Sequence, residues 1–157
     1  MEYGDKRRVA VRGIIYKDGK LFCQQLKDRQ GNPRDFWCTP GGGLNPKELL
    51  VEAVARELIE ETGVLPEVGR LLFIQSFADG TIGGHGEEEQ LEFFFKIENP
   101  DDFLRINEQA SHFDTEIADY GFVDPSSTNV LPQFLRTLDL GDYVNNEKPV
   151  YIYNEFV

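Results

Sequence analysis

The sequence predicts an α/β protein, and three observations carry that prediction. After Asn45-Pro46 the chain runs to Gly63 with no further Gly or Pro, a helix with both ends marked. Apolar, β-branched runs at residues 9–16, 21–26, 68–77 and 90–97 are separated by turn-forming residues, as strands are. With 157 residues and 40% hydrophobic content, the chain is ample for one core and too short for two ordinary ones, so one domain over residues 1–157 is expected.

Taken in order, residues 9–16 form a strand around Arg12-Gly13. Lys17-Asp18-Gly19-Lys20 then leads into 21–26, and Asp-Gly between two such runs is a strong hairpin signal. Residues 27–35, polar with Gly31 and Pro33, read as a loop before a short strand at 36–39. Gly41, Gly42 and Gly43 read as a tight strand-to-helix turn. In the helix, Asn45 suits the N-cap, Pro46 the first position, and Glu48 can reach back to the cap amide; Gly63 supplies the left-handed end. Strands follow at 68–77 and 90–97, flanking a Gly- and Glu-rich loop at 78–89. The second alternates Leu91, Phe93 and Phe95 against Glu92 and Lys96, and Phe94 breaks the pattern. A turn at 99–102, a polar stretch at 107–119, a strand at 120–123 and a loop at 124–128 lead to a second expected helix at 130–138. That helix has Pro132 in its first turn and Asn129 or Thr128 as cap. An aromatic segment ends in a strand at 150–153.

The first helix carries the chemistry. At about 100° per residue, Glu57, Glu60 and Glu61 fall within roughly a 100° arc, in line with Leu50, Ala53 and Val54 below them. Three carboxylates there repel one another at the negative end of the helix dipole, and a divalent cation would reverse both effects. The plainer reading is a solvated face braced by Glu52–Arg56 and Arg56–Glu60 pairs, worth about 0.2–0.5 kcal/mol each.

Gly42, Glu48 and the run Arg56-Glu57-Leu58-Ile59-Glu60-Glu61-Thr62-Gly63-Val64 match every fixed position of G-x5-E-x7-R-E-U-x-E-E-x-G-U, with U aliphatic. That is the Nudix box, and the chain resembles the MutT-like Nudix hydrolase superfamily across it. The resemblance implies an α/β/α sandwich with a mixed β-sheet, and hydrolysis of a nucleoside diphosphate linked to another moiety, dependent on Mg²⁺ or Mn²⁺. It implies Glu57, Glu60 and Glu61 as metal ligands together with the carbonyl of Gly41, the residue before the box glycine. Arg56 becomes an orienting ion-pair partner, and Glu48 its partner or an outer ligand. The general base stays open among Glu57, Glu60 and Glu116, the last placed six residues before Phe122. The Glu87-Glu88-Glu89 run reads as a solvated loop tip, and His85 and His112 as exposed histidines. For a nucleobase, Phe77, Phe113, Trp37 and Tyr3 are possible stackers, and Asn129 could read a base edge or simply cap a helix.

The remaining composition narrows the partners. A formal charge of −12, from 28 acidic and 16 basic residues, argues against polymeric nucleic acid, whose binding needs a basic footprint. Cys23 and Cys38 lack any CxxC spacing and read as reduced thiols. No run approaches the ~20 apolar residues of a membrane span, and no apolar signal segment opens the chain, so a soluble cytoplasmic protein, monomer or homodimer, is expected. Loops at 27–35, 78–89 and 107–119 would choose among nucleoside triphosphates, ADP-ribose, dinucleoside polyphosphates and nucleotide sugars. The compact chain favours the triphosphates.

Overall fold

The structure, a computed structural model, describes residues 7–78, 89–106 and 116–155. In order, the elements are β1 (Arg8–Ile14), β2 (Tyr16–Lys17), β3 (Lys20–Lys27), β4 (Pro33–Cys38), β5 (Gly41–Gly43), α1 (Leu50–Thr62), β6 (Val68–Ala78) and β7 (Glu89–Ile97). A 3₁₀ turn (Pro100–Leu104), β8 (Ile117–Val123), β9 (Val130–Leu131), α2 (Phe134–Thr137), α3 (Leu140–Asn145) and β10 (Tyr151–Glu155) complete them. One mixed sheet has the order β10-β6-β7-β1-β5, with β1/β7 and β6/β10 parallel and the other pairs antiparallel. A second sheet is built on β3, which pairs with β2, β4 and β8, and β9 runs parallel to β4.

Helices cover both faces of the first sheet, which makes the predicted α/β sandwich. On one face Ala53, Val54 and Leu58 of α1 pack with Val11, Ile15, Phe22, Phe95 and Ile97. On the other, Phe134 and Leu135 of α2 and Leu140 and Val144 of α3 pack with Ile14, Phe73 and Phe94. Phe94 breaks the alternation of β7 for this reason: Phe93 and Phe95 point to the α1 layer, and Phe94 to the other layer.

Four expectations are corrected. α1 begins at Leu50 rather than Pro46. Lys47 adopts a left-handed φ of 63°, and Glu48, although it accepts the Asn45 amide at 3.0 Å as foreseen, turns its carboxylate to Arg56 eight residues on. The helix starts only after that clasp, with the Glu52 carboxylate accepting the Leu49 amide at 3.2 Å. The Gly41–Gly43 segment is a strand rather than a turn, because it pairs with Ala10, Val11 and Arg12 of β1. Gly41 has φ 152°, and a Cβ there would stand 2.0 Å from the Val11 carbonyl oxygen, so the pairing admits only glycine.

Residues 130–138 are not one helix: Val130 and Leu131 pair with Trp37 and Cys38 at the edge of β4, and only Phe134–Thr137 is helical. α3 stands at Leu140–Asn145, where the sequence reading placed no helix. That last strand is Tyr151–Glu155, on the edge of the first sheet. The helix C-terminus stands as predicted, with Gly63 at φ 71° and its amide donating to the Ile59 carbonyl at 2.8 Å. Cys23 and Cys38 are free thiols. Among the described residues no helix is long and apolar enough to cross a membrane. Tyr3, His85, Glu87, Glu88, His112 and Phe113 lie outside the described residues.

Candidate active site

The last two turns of α1 pass beside β5, and that approach brings two of the three aligned acids into the interior. Glu57 and Glu61 are only 9% and 5% exposed. Glu61 Oε2 accepts the Gly41 amide at 3.1 Å, tying helix to glycine strand. Gly42 must lack a side chain: a Cβ there would lie 2.7 Å from the carboxylate atoms of Glu57.

Arg56 organises the outer side of the same turns. Its Nε and Nη2 donate to the Glu48 carboxylate at 2.7 and 2.9 Å, a bidentate pair, and Nη2 also donates to the Gly43 carbonyl at 2.9 Å. Nη1 reaches Glu57 at 2.9 Å and Glu60 at 3.2 Å. The hydrogen bonds from Arg56 hold the Glu48 acid down to about 2. Burial raises Glu57 above the ordinary carboxylate range, with Arg56 opposing.

Burial likewise pushes Glu61 up to about 8; Arg12 and the Gly41 amide oppose it, and the charges of Glu57 and Glu116 reinforce it. Glu60 stays half-exposed. Among the described residues no three acidic or other metal-binding side chains stand together tightly enough to enclose an ion as they are now turned.

Glu57 and Glu61 open into a cavity of about 410 Å³ between the two sheets. Of the other residues named from the sequence, Gly41, Phe77 and Glu116 line it, Glu116 exposed just ahead of β8; Glu60, Arg56 and Asn129 are not among the lining residues. Asn129 neither caps a helix nor reads the cavity: its Nδ2 donates to the Asp35 carbonyl at 2.8 Å, clasping two loops. Trp37 packs on the α2/α3 core.

The sequence reading missed the cations of this cavity. Arg8, Arg12, Lys27 and Arg34 all line the cavity, so a strongly acidic chain presents cations there. Arg12 donates to Glu92 at 2.8 Å and to the Thr39 and Gly41 carbonyls at 3.1 and 3.4 Å. Burial opposes its charge, but Glu92 together with Cys38 and Glu61 more than offsets this and the guanidinium stays charged. Cys38 lines the cavity as a protonated thiol, pushed up to about 11 by burial. The signal was present in β7, whose Gln90 and Glu92 alternate with Leu91 and Phe93. That polar face had the period of a solvated one and covers a cavity instead.

Comparison with known proteins adds a lineage to this geometry. Residues 6–138 match the family model described as NUDIX domain. An ADP-ribose pyrophosphatase of Methanocaldococcus jannaschii is 44% identical over 78 residues, which make up 49% of this chain and 44% of that protein. The nucleoside triphosphatase NudI of an Enterobacter species is 30% identical over 135 residues, covering 80% of this chain and 88% of that one. The chain thus spans less than half of the first relative and most of the second. In fold, the solution structure of the E. coli ORF135 protein superposes with a TM-score of 0.66 at 18% identity, covering 91% of this chain and 95% of the other.

Proposed function

Because the chain belongs to the NUDIX domain family, whose members generally require a divalent metal, we propose that it is a Mg²⁺- or Mn²⁺-dependent pyrophosphohydrolase. It cleaves a nucleoside diphosphate linked to another moiety, a nucleoside triphosphate ahead of ADP-ribose, dinucleoside polyphosphates or nucleotide sugars. The observation that carries the reading is the burial of Glu57 and Glu61 in the lining of a cavity that also presents Arg8, Arg12, Lys27 and Arg34. The lean to triphosphates draws on the triphosphatase relative, which aligns over most of both chains, whereas the likeness to the ADP-ribose enzyme covers about half of this chain.

The donor set fits a hard cation. It is all oxygen, and Glu61 is an acid that burial and two neighbouring acids keep from ionising at ordinary pH. Glu57, Glu60 and Glu61 with the Gly41 carbonyl would hold the ion. When bound, it would neutralise phosphate charge and acidify a water.

The chain's own residues supply the rest. Arg56 holds Glu57 and Glu60 in place and ties both to the glycine strand through Gly43. Arg8, Arg12, Lys27 and Arg34 attract the phosphates into the cavity. The proton acceptor is a carboxylate on the cavity wall, Glu57 or Glu116, and pH–rate profiles of Glu57→Gln and Glu116→Gln separate the two.

The test is release of a nucleoside monophosphate from a panel of those four substrate types with Mg²⁺ or Mn²⁺. Glu57→Gln is expected to lower kcat at least about a hundredfold while the protein stays folded. A folded, metal-supplied wild-type protein that turns over none of the panel would overturn the reading.

A further inference from the structure

Buried amides line the cavity. Gln24 on β3, Gln75 on β6 and Gln90 on β7 are 1%, 2% and 2% exposed, and Thr39 is 1% exposed. Gln24 Nε2, Gln75 Oε1, Gln90 Nε2 and Thr39 Oγ1 have no hydrogen-bond partner in the protein. Among the described residues only one further buried side-chain atom, Arg70 Nε, shares that condition. All four residues line the cavity. Buried polar groups are destabilising until they are paired, and folded proteins keep few of them. Four gathered around one cavity call for polar partners within it.

The surface has a readable pattern. Gln90 Oε1 accepts from Arg8 Nη1 at 3.4 Å, which leaves its N–H donors for the cavity. Gln75 stands opposite Glu92, and Phe77 opposite Gln90, in the β6/β7 register. The sheet order β5-β1-β7-β6 puts Gln75 and Phe77 three strands from the glycine strand, roughly 14 Å at about 4.8 Å per strand. A nucleotide spans such a distance through phosphate, ribose and base. An amide offers a donor and an acceptor side by side in one plane, as a base edge does. Phe36, Phe77 and Pro132 add flat apolar surface to the same lining.

We infer that this amide wall takes the nucleobase edge-on, with Gln24, Gln75 and Gln90 as specificity-determining residues and the phosphates directed toward Arg8 and Arg12. The inference rests on the hydrolase reading for the phosphate end of the ligand.

The experiment measures metal-free binding of AMP, GMP, CMP, UMP and ribose 5-phosphate by calorimetry. In parallel, NMR follows the side-chain amide resonances of the three glutamines in the wild-type protein. At least one nucleotide is expected to bind more tightly than ribose 5-phosphate and to shift the glutamine amides, which ribose 5-phosphate leaves in place. Gln24→Leu, Gln75→Leu and Gln90→Leu should each reduce that preference about three- to tenfold, and Gln24→Leu and Gln75→Leu, which touch no phosphate-directing arginine, should leave ribose 5-phosphate affinity unchanged. Gln24→Leu and Gln75→Leu should also raise the Tm of the ligand-free protein, since a side chain with an unpartnered polar atom is replaced by apolar volume. An amide with a purely structural role would lower the Tm instead.

Gln90→Glu, which exchanges a donor for an acceptor beside Arg8, should reorder the preference among the four bases. Should the wild type hydrolyse nucleotides while its glutamine amides ignore them and the Leu variants keep the preference, the inference falls and the hydrolase reading stands. If no nucleotide binds or reacts, both fall.

Discussion

Glu61 shows how one residue's surroundings become a measurable property of the whole protein. Burial is the largest influence on it, so the folded protein holds its proton up to about pH 8, whereas the unfolded chain releases it near about 4.3. The folded state's advantage from this group is full below the unfolded value and lost as pH rises through the folded one. Metal-free protein should therefore lose Tm between pH 5 and pH 8, and Glu61→Gln, which cannot ionise, should flatten that slope. Parallel profiles for the two proteins would show that Glu61 is not buried as an acid. Glu48 works in the opposite sense: Arg56 holds it down to about 2, so its contribution is present above the ordinary carboxylate value and lost as pH falls toward 2. The two windows do not overlap, which lets a single pH scan of Tm report on both.

At the scale of the element, α1 is defined by two ends of different kinds. Its C-terminus depends on one local fact, the left-handed φ of 71° at Gly63, and Gly63→Ala should cost about 1 kcal/mol. Urea denaturation of the variant measures this, and an unchanged midpoint would mean that the last turn frays freely. This end was legible because a glycine after an unbroken apolar-and-acid run takes the left-handed, helix-ending conformation without steric cost. The N-terminus was not, because Glu48 bonds Arg56 across eight residues and that clasp outcompetes helix at Asn45–Lys47. The same contrast separates the glycine segment and residues 130–138 from the first reading. Three glycines permit a turn as readily as a strand, and Val130-Leu131 would suit a helix, until β1 and β4 offer unpaired edges to bond.

Across the whole molecule, Phe94 joins the layers. It packs edge-on against Phe73 at 6.3 Å and Phe134 at 5.6 Å, coupling the first sheet to α2. Phe94→Ala should cost about 3–5 kcal/mol, a large share of the 5–15 kcal/mol typical of a domain. Guanidinium unfolding should show the midpoint fall with little change in slope; a loss below about 1 kcal/mol would mean that the core closes around the gap.

The sequence by itself determined the chemistry of α1: the acids at 57, 60 and 61, the arginine among them and the glycines flanking them. Helical periodicity and chain-end signals act over a few residues, and Arg56, the three acids and Gly63 lie within about two turns of each other. Only the tertiary structure decided which acids face inward. Glu57 and Glu61 line the cavity while Glu60 remains with Arg56, because β5 approaches the helix on one side. The cations and amides that line the cavity were beyond local reading. Arg12 meets Glu92 across 80 residues of chain, and whether a polar strand face looks onto water or into a cavity depends on what the rest of the chain lays over it.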